Sequence, residues 1–446
     1  SPCVLYHLHP NPSIPLLMYT KRMHIHFSGI GGTGIGPLAL IAKQAGYDVS
    51  GSDKQNSSYI EYLSKHGISD ISIGQTGKEI DSLHVKIPID WLVFSSSLLK
   101  ENPNHPEIEM AKNLGIKISK RDEFLNMLLL EKNLKMIAIA GTHGKTTTTA
   151  MTVWLFKQLG VPVSYSVGAK LSFGDMGEYD PKSEYFVYEA DEYDRNFLSF
   201  NPEISIISGI SYDHPDTYPT QDSYNEAFTS FLCNTKKEVY AYFKDLERVG
   251  YTALERELHE DLINEIGLIG EVNRRNALLV CNAMSDLTGK PILELILIMN
   301  RFPGLSRRFE KITENIYSDY AHTPEKIRGA LQTAQEIAGE NVVVVYEGLH
   351  NTRQHFIKED LVDLFEGVKK LFIVPSYLAR EDETLEMLTP EKLCEITKLP
   401  TDREPAKLDA NLKSQISILK SQGNLVLCLS AGGGGSLDEW LREEFA

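Results

Sequence analysis

The sequence Met136-Ile-Ala-Ile-Ala-Gly-Thr-His-Gly-Lys-Thr-Thr-Thr-Thr149 decides the fold of this chain of 446 residues. Its first five residues, 136–140, are apolar and predict a buried strand. Gly141 and Gly144 then form a turn, and an apolar-periodic helix follows over residues 150–159. A strand, a glycine-rich turn and a helix in this order form a phosphate cradle, because backbone N–H groups and the helix N-terminus point at the anion.

The polar side chains of this stretch support the same interpretation. Lys145 supplies a positive charge, and the Thr146 hydroxyl is a potential Mg²⁺ ligand. Ile139 stands where the usual phosphate-loop spacing has its first glycine. A plain strand-to-helix turn is the alternative, although chance rarely also supplies the flanking strand and helix. We therefore predict ATP binding here. The predicted nucleotide contacts are Gly141, Thr142, His143, Gly144, Lys145, Thr146 and Thr147.

A second glycine-rich turn, Gly29-Ile-Gly-Gly-Thr-Gly-Ile-Gly36, lies between an earlier strand and helix. Gly29, Gly31 and Gly34 match the dinucleotide fingerprint, and Asp53 is the acid expected about twenty residues later. Alone, this motif suggests an NAD oxidoreductase, or a turn that merely packs a helix on a strand. Because such a loop identifies the diphosphate and leaves the base open, we predict a nucleotide in a parallel Rossmann-like sheet. The predicted contacts are Gly29, Gly31, Gly32, Gly34, Asp53, Ser95 and Ser96.

Acidic residues and a histidine follow two further predicted strands. A strand over residues 184–189 ends in Glu189, and a strand over residues 204–208 leads to His214. The carboxyl ends of parallel strands share one sheet edge, so both residues should lie beside the phosphate loop. Mg²⁺ takes oxygen ligands and occasionally histidine, which makes Thr146, Glu189 and His214 the predicted metal shell. The alternatives are a solvated acid and a hydrogen-bonded histidine at a strand end.

Composition bounds the class of protein. The hydrophobic content of 42% and charged content of 24% are typical of a globular protein, and the length predicts several domains. A net charge of −16 argues against nucleic acid as a partner. The five cysteines form no C-x-x-C pair, which favours reduced thiols in the cytoplasm over a disulfide or zinc framework. No apolar run reaches membrane-spanning length, so we expect no membrane partner.

Downstream of the phosphate loop the pattern changes twice. Residues 236–269 are charged and helical, without clear strand alternation. A βαβ pattern then returns, with strands predicted near residues 316–319, 342–346, 371–374 and 425–429. The predicted fold class is α/β with three domains: an N-terminal Rossmann-like domain, a central P-loop ATPase domain and a C-terminal Rossmann-like domain. The predicted boundaries are 1–126, with 1–22 an extension or tag, then 127–300 and 301–446.

With these motifs placed, the chain resembles the Mur ligases from residue 23 to the C-terminus. The resemblance rests on the loop 29–36 with Asp53, Gly141-Thr-His-Gly-Lys-Thr-Thr-Thr148, Glu189-Ala-Asp-Glu192, Asp213-His214, Arg307-Arg-Phe-Glu310 and Asp319-Tyr-Ala-His322. The histidine before Gly144 and the R-R-F-E string are typical of the family members that act on the muramate itself.

The resemblance implies an ATP- and Mg²⁺-dependent ligation in peptidoglycan synthesis. The carboxylate of UDP-N-acetylmuramate takes the γ-phosphate of ATP to form an acyl phosphate, and the amine of L-alanine then displaces phosphate. It implies an N-terminal domain for the UDP-sugar, a central one for ATP and a C-terminal one that closes over both. We expect a monomer or a weak homodimer.

The resemblance also assigns residues by position. Catalytic roles are implied for Lys145, His214, His322 and Arg353. The implied contacts beyond the two loops are Asn273, Asn276, Arg308 and Asp319 at the nucleotide and His350 at the substrate. Thr146 and Glu189 would ligate one Mg²⁺ and His214 a second.

Three alternatives stay open. One is a recycling member of the family that attaches a whole tripeptide to UDP-N-acetylmuramate. Another is a degenerate Mur-like protein that binds the nucleotide sugar without ligating, which the short stretch between residues 213 and 270 motivates. The third is the NAD oxidoreductase, which gives no reason for the phosphate loop.

Overall fold

The computed structural model describes residues 22–446 except 213–216, 253–257, 379–380, 383, 431 and 433–434. These described residues form three sheets in chain order, and helices pack on them. The predicted α/β fold class is confirmed.

The first sheet is entirely parallel, with strand order β3-β2-β1-β4-β5. Its elements are β1 (His24–Ser28), α1 (Gly36–Gln44), β2 (Asp48–Asp53), α2 (Ser58–Lys65), β3 (Ile71–Ile73), α3 (Lys78–Lys86), β4 (Trp91–Phe94), α4 (Ser96–Glu101), α5 (Pro106–Asn113), β5 (Lys117–Lys120) and α6 (Arg121–Glu131). The strand order reverses at β1, so the crevice beyond its carboxyl end is the usual ligand position of such a sheet. The glycine loop 29–36 lies at that end.

The second sheet has the order β11-β10-β6-β9-β7-β8, and only β8 within it is antiparallel. Its elements are β6 (Lys135–Ala140), α7 (Lys145–Gln158), β7 (Ser164–Ser166), β8 (Gly177–Glu178), β9 (Tyr185–Glu189), β10 (Ile204–Ile207), α8 (Gln221–Cys233), β11 (Glu238–Tyr240), α9 (Phe243–Arg248), α10 (Glu271–Thr288) and α11 (Ile292–Met299). Short 3₁₀ segments occupy Tyr193–Ser199 and Glu260–Glu265.

Two sequence-based expectations for this part are wrong. Helix α7 begins at Lys145, five residues before the predicted start at residue 150. The hydroxyls of Thr148 and Thr149 donate to carbonyl oxygens four residues earlier, which satisfies these buried polar groups inside the helix. The pattern of residues 236–269 predicts no strand, but β11 pairs with β10 there. Three residues are too few to show alternation.

The third sheet has the order β12-β13-β17-β14-β15-β16, with β12 antiparallel to β13. Its elements are β12 (Glu310–Thr313), β13 (Ile316–Asp319), α12 (Pro324–Ala338), β14 (Val342–Leu349), α13 (Asn351–Phe356), β15 (Lys370–Tyr377), α14 (Pro390–Ile396), β16 (Arg403–Pro405), α15 (Ala410–Ser421), β17 (Leu425–Leu429) and α16 (Leu437–Phe445). The four predicted strands are confirmed. The two short edge strands, β12 and β16, are additional to the prediction.

The apolar cores do not divide evenly among the sheets. One continuous cluster joins the first and second sheets, with Phe27, Leu128, Tyr188 and Phe228 among its buried members. The buried residues around the third sheet form two clusters of their own. None of the helices within the described residues has the length and apolar character needed to cross a membrane.

Candidate active site

The phosphate loop connects β6 to α7 through two glycines with positive φ. Gly141 has φ +138°, and a Cβ there would lie 2.6 Å from Oγ of Ser208. Gly144 has φ +73°, and a Cβ there would overlap the amide of Asn276 on α10. The loop therefore needs glycine at both positions, because the backbone is left-handed and the neighbouring segments are close.

Lys145 is folded back onto this loop in a buried ion pair. Its Nζ donates to the carbonyl oxygen of Gly141 and to Oε2 of Glu192, both at 2.6 Å. The side chains of Lys145 and Glu192 are only 13% and 1% exposed. Burial alone would lower the pKa of Lys145, but Glu192 and Asp191 raise it, so the ammonium keeps its charge. Burial raises the pKa of Glu192 above the usual carboxyl range.

Thr146 and Glu189 lie together, as the metal prediction requires. Oγ1 of Thr146 donates to Oε1 of Glu189 at 2.9 Å, and the N–H of Gly168 donates to Oε2 at 3.1 Å. A hydroxyl and a carboxylate are oxygen donors of the kind Mg²⁺ prefers, so these two residues fit that ion. His214 lies outside the described residues. Within the described part of the chain, no group of three or more His, Cys, Asp or Glu could hold a metal ion.

Thr142 and His143 anchor the loop to the segment after β10. Oγ1 of Thr142 donates to the carbonyl oxygen of Ser211 at 2.6 Å and lies 2.6 Å from the hydroxyl of Tyr224. Nε2 of His143 lies 2.6 Å from Oγ of Ser211. The side chain of Thr142 thus faces the protein interior. The nucleotide contact predicted for this residue would therefore have to come from its backbone.

A cavity of about 1050 Å³ separates the phosphate loop from the third sheet. It brings together most of the residues predicted at the nucleotide. Its lining includes Thr142, His143, Gly144, Lys145, Thr146, Thr147, Glu189, Asn273, Arg308, Asp319 and His322. The central and C-terminal motifs therefore face one shared space.

Asp319 and His322 stand at the carboxyl end of β13 on the far wall of this cavity. Oδ2 of Asp319 accepts from the N–H of Phe309 at 2.7 Å. Burial raises the pKa of Asp319 to about 6, although Arg308 opposes the shift. Burial, together with the charges of Lys326 and Arg353, lowers the pKa of His322 well below its usual value.

The tautomer of His322 follows from its hydrogen bond. Its Nδ1 lies 3.0 Å from the carbonyl oxygen of Tyr320. Because a carbonyl only accepts, Nδ1 carries the proton and Nε2 is the basic nitrogen. A neutral imidazole with a basic Nε2 at a cavity wall is able to accept a proton from a bound substrate.

The two predicted asparagines of α10 differ in position. Asn273 lines the cavity, and its Nδ2 donates to the carbonyl oxygen of Ile269 at 2.9 Å. Asn276 is 1% exposed and packs behind Gly144. Asn276 therefore supports the loop, while Asn273 is placed to contact a ligand.

His350 and Arg353 are not among the described residues that line the cavity. His350 has φ +53°, and its N–H donates to the carbonyl oxygen of Tyr377 at 2.9 Å. Its Nδ1 lies 3.5 Å from Oε1 of Glu381. Arg353 is on α13, close enough for its charge to act on His322. Arg353 thus lies beside the predicted site, whereas His350 lies against Tyr377 and Glu381.

The glycine loop of the first sheet is held by β2. The N–H of Gly31 donates to Oδ2 of Asp53 at 2.8 Å, and the N–H of Gly29 donates to the carbonyl oxygen of Ser52 at 2.8 Å. A Cβ at Gly29 would lie 3.7 Å from Cβ of Ser95. The predicted substrate residues of the first sheet therefore meet at one edge of that sheet, apart from the cavity, whereas His350 lies with the third sheet. They include Gly32 and Gly34 on the loop and Ser96 at the start of α4.

Several neighbours of these sites escaped sequence reasoning. Glu192 was visible only as part of the acidic string, with no sign that it pairs with Lys145. Arg121 lies against Gly34, and Glu107 is a buried carboxyl that accepts from Oγ of Ser52 at 2.8 Å. Charged residues on short helices resemble solvated ones in a sequence, so no signal marked Arg121 or Glu107.

Three family models match the chain. The model described as "Mur ligase family, catalytic domain" matches residues 24–133, and the model described as "Mur ligase middle domain" matches residues 139–263. "Mur ligase, glutamate ligase domain" matches residues 307–432.

The relatives agree with these matches. UDP-N-acetylmuramate–L-alanine ligase of Fusobacterium nucleatum subsp. nucleatum is 32% identical over 418 residues, which cover 82% of this chain and 86% of the relative. The solved structure of UDP-N-acetylmuramate-alanine ligase MurC from Thermotoga maritima has a TM-score of 0.71 at 25% identity, covering 92% of this chain and 96% of its own. A murein peptide ligase from Psychrobacter arcticus, at 21% identity, 92% and 96% coverage and a TM-score of 0.62, shares the fold.

Proposed function

The chain belongs to the Mur ligase family, and from this premise we propose that it joins L-alanine to UDP-N-acetylmuramate at the expense of ATP. The observation that carries the proposal is the shared cavity, in which Lys145 and Thr146 face Asp319 and His322 from another sheet. The relative from Fusobacterium nucleatum is named for the same ligation. A phosphoryl-transfer centre and a basic imidazole on opposite walls suit a reaction in two steps.

In the first step a carboxylate oxygen of the muramate attacks the γ-phosphorus of ATP. The bond between that phosphorus and the bridging oxygen breaks, ADP leaves with the electron pair, and an acyl phosphate forms. Such transfers depend on positioning and charge neutralisation. Lys145 keeps its charge in the buried site, so its ammonium is available to the phosphates once it leaves Glu192.

In the second step the amine of L-alanine attacks the acyl carbon. The carbon–oxygen bond to phosphate breaks, inorganic phosphate leaves, and the amine loses a proton. Nε2 of His322 is the proposed acceptor, because burial and the neighbouring positive charges keep the imidazole neutral. Arg308 lines the cavity, and the charges of Arg308 and Arg353 both act on His322, so we propose that these two arginines stabilise the departing phosphate.

We further propose that one Mg²⁺ binds at Thr146 and Glu189, and that His214 ligates a second Mg²⁺. When bound, the ion would neutralise charge on the transferred phosphoryl group. The hydrogen bond between Thr146 and Glu189 supports this placement, since it already holds two oxygen donors together.

The proposed domains are residues 1–126, 127–300 and 301–446. The sheets support a threefold division, because β5 ends at Lys120, β6 begins at Lys135, and β12 begins only at Glu310. The first boundary falls inside α6, which packs in the apolar core that the first two sheets share.

Phosphate release tests the proposed function. The protein is incubated with ATP, Mg²⁺ and UDP-N-acetylmuramate, and release is compared with L-alanine, glycine, L-serine and the tripeptide as acceptor. Among these acceptors, only L-alanine is expected to give rapid release of phosphate. Preference for the tripeptide would identify the recycling reaction instead, and binding of the nucleotide sugar without release would identify the non-catalytic alternative.

A further inference from the structure

The glycine loop 29–36 has no positive side chain of its own. Neither lysine nor arginine occurs between Met23 and Ala42, so the loop and the first turns of α1 offer only backbone N–H groups and a helix N-terminus. A nucleotide diphosphate carries about two negative charges, and a helix N-terminus about half a positive one. Side-chain charge for such a ligand has to come from another part of the chain.

Arg121 is placed to supply that charge. It is the first residue of α6 and directly follows β5, so it stands at the same carboxyl edge of the first sheet as the loop. A Cβ added to Gly34 would overlap Nη1 of Arg121. The guanidinium therefore lies directly over the third glycine of the fingerprint, in a space that any larger residue would fill.

The guanidinium is held on its other side by the central sheet. Nη2 of Arg121 lies 3.8 Å from Oδ2 of Asp191, in the acidic string after β9. The Arg121 side chain is 16% exposed, so its conformation is restricted. An arginine fixed between an acid and a glycine loop presents its remaining N–H groups in a rigid fork, which suits a diphosphate.

We propose that Arg121 is a substrate-binding residue that contacts the diphosphate of the nucleotide bound at loop 29–36. The identity of that nucleotide as a UDP-sugar rests on the proposed function. Gly34 is glycine here because a side chain would displace the guanidinium. Asp191 acts as the positioning residue that keeps Arg121 over the loop.

Lys120 is a matched control. It precedes Arg121 in sequence and also forms an ion pair with the acidic string, since its Nζ lies 2.8 Å from Oδ2 of Asp194. Lys120→Gln thus removes one charge and one ion pair between the same two segments. The Lys120 side chain is 40% exposed, and within the described part of the chain no glycine of the loop has it as a close neighbour.

The test is calorimetric titration of wild type, Arg121→Gln, Arg121→Lys and Lys120→Gln. The titrants are UDP-N-acetylmuramate, UDP, NAD⁺ and a non-hydrolysable ATP analogue, the last serving as a check on folding. Arg121→Gln is expected to lower the affinity for UDP and for UDP-N-acetylmuramate about tenfold or more, because a charged hydrogen bond is lost. Arg121→Lys should recover part of the lost affinity. Lys120→Gln should bind UDP and UDP-N-acetylmuramate nearly as wild type does. The ATP analogue should bind to all variants with the same affinity.

The remaining outcomes separate this proposal from the proposed function. Unchanged UDP binding by Arg121→Gln would overturn the assignment, and so would a loss confined to UDP-N-acetylmuramate, which would place Arg121 at the muramate carboxylate. If wild type binds only NAD⁺ and Arg121→Gln weakens it, the ligase function fails while Arg121 keeps its role. A wild type that binds none of the three diphosphates overturns both.

Discussion

The ion pair of Lys145 with Glu192 changes what a substitution of the lysine is expected to do. From the sequence, Lys145 and Glu189 both stand at the rim of a sheet, where truncation costs little packing. Lys145→Ala instead leaves Glu192 buried without its partner, and breaking a buried pair costs about 3–5 kcal/mol. Ligation should fall on the order of a hundredfold or more in both Lys145→Ala and Glu189→Ala.

Urea unfolding and phosphate release together check this expectation. Lys145→Ala should unfold at lower urea than wild type, and Glu189→Ala should not. The double variant Lys145→Met with Glu192→Gln should regain stability, because it leaves no unpaired charge in the buried site. It should not regain activity, because the lysine charge is still missing. Equal stability of Lys145→Ala and wild type would contradict the buried pair, and wild-type turnover of either single variant would contradict the site.

Asp319 should make the stability of the protein depend on pH. Its pKa is raised from 3.8 to about 6, so between these values the folded state binds more protons than the unfolded state. Stability is then greatest below about pH 4 for this group and falls as the pH rises through 6. The loss amounts to at most about 3 kcal/mol, reduced because water reaches the cavity wall.

Asp319→Asn tests this sign, because an amide keeps the acceptor for the Phe309 N–H and does not titrate. Unfolding free energies of both proteins are measured from pH 4 to pH 8. The advantage of the variant over wild type should grow with pH and level off above about 7. An advantage that shrinks as the pH rises would mean that Arg308 outweighs burial.

At the scale of elements, helix α7 is flanked by two glycines of similar backbone conformation. Gly144 has φ +73° and is crowded by Asn276, whereas Gly160, just after the helix, has φ +68° and no described atom within 4 Å of the position that a Cβ would take. Alanine at Gly160 should cost about 1 kcal/mol, the cost of a left-handed residue alone. Alanine at Gly144 should cost more, because it also displaces the Asn276 amide.

Thermal unfolding and ATP-analogue titration of the two alanine variants separate strain from crowding. Gly160→Ala is expected to bind the analogue as wild type does, and Gly144→Ala to bind it more weakly. Similar losses of stability in both variants would indicate that the Asn276 side chain moves away from the new Cβ without a loss of stability.

At the scale of the whole molecule, the first two sheets share one apolar core, and the third is joined to the second by polar contacts. Arg274 on α10 lies 3.0 and 3.1 Å from the carboxylate oxygens of Glu336 on α12, and Gln332 donates to Glu271 at 3.0 Å. Polar contacts between domains of this kind permit relative motion. We therefore expect the C-terminal part to move as a unit against the other two.

Small-angle scattering tests this motion with UDP-N-acetylmuramate and a non-hydrolysable ATP analogue added together. The radius of gyration should fall, because closure over the cavity would exclude water from the acyl phosphate. Arg274→Gln with Glu336→Gln, which removes the ion pair, should broaden the unliganded ensemble and leave the closed state compact. An unchanged radius with both ligands confirmed bound would indicate a preassembled site.

The sequence alone determined those features that depend on neighbouring residues. Both glycine loops, the strands that precede them and the four main strands of the third sheet follow from local apolar patterns and glycine spacing. Helix α7 begins five residues before its predicted start because the tertiary structure buries the threonines of its first turns, which overrides their low helix propensity. Strands as short as β11 and β16 have no periodicity to read.

Only the tertiary structure decided which distant residues meet. The pairing of Lys145 with Glu192, the placement of Arg121 over Gly34, and the cavity shared by Thr146 and Asp319 all join segments far apart in the chain. Strand order and the packing of separate sheets fix these contacts, and neither is written in a local pattern. Burial, which shifts the pKa values of Asp319 and His322, likewise exists only once the sheets are packed.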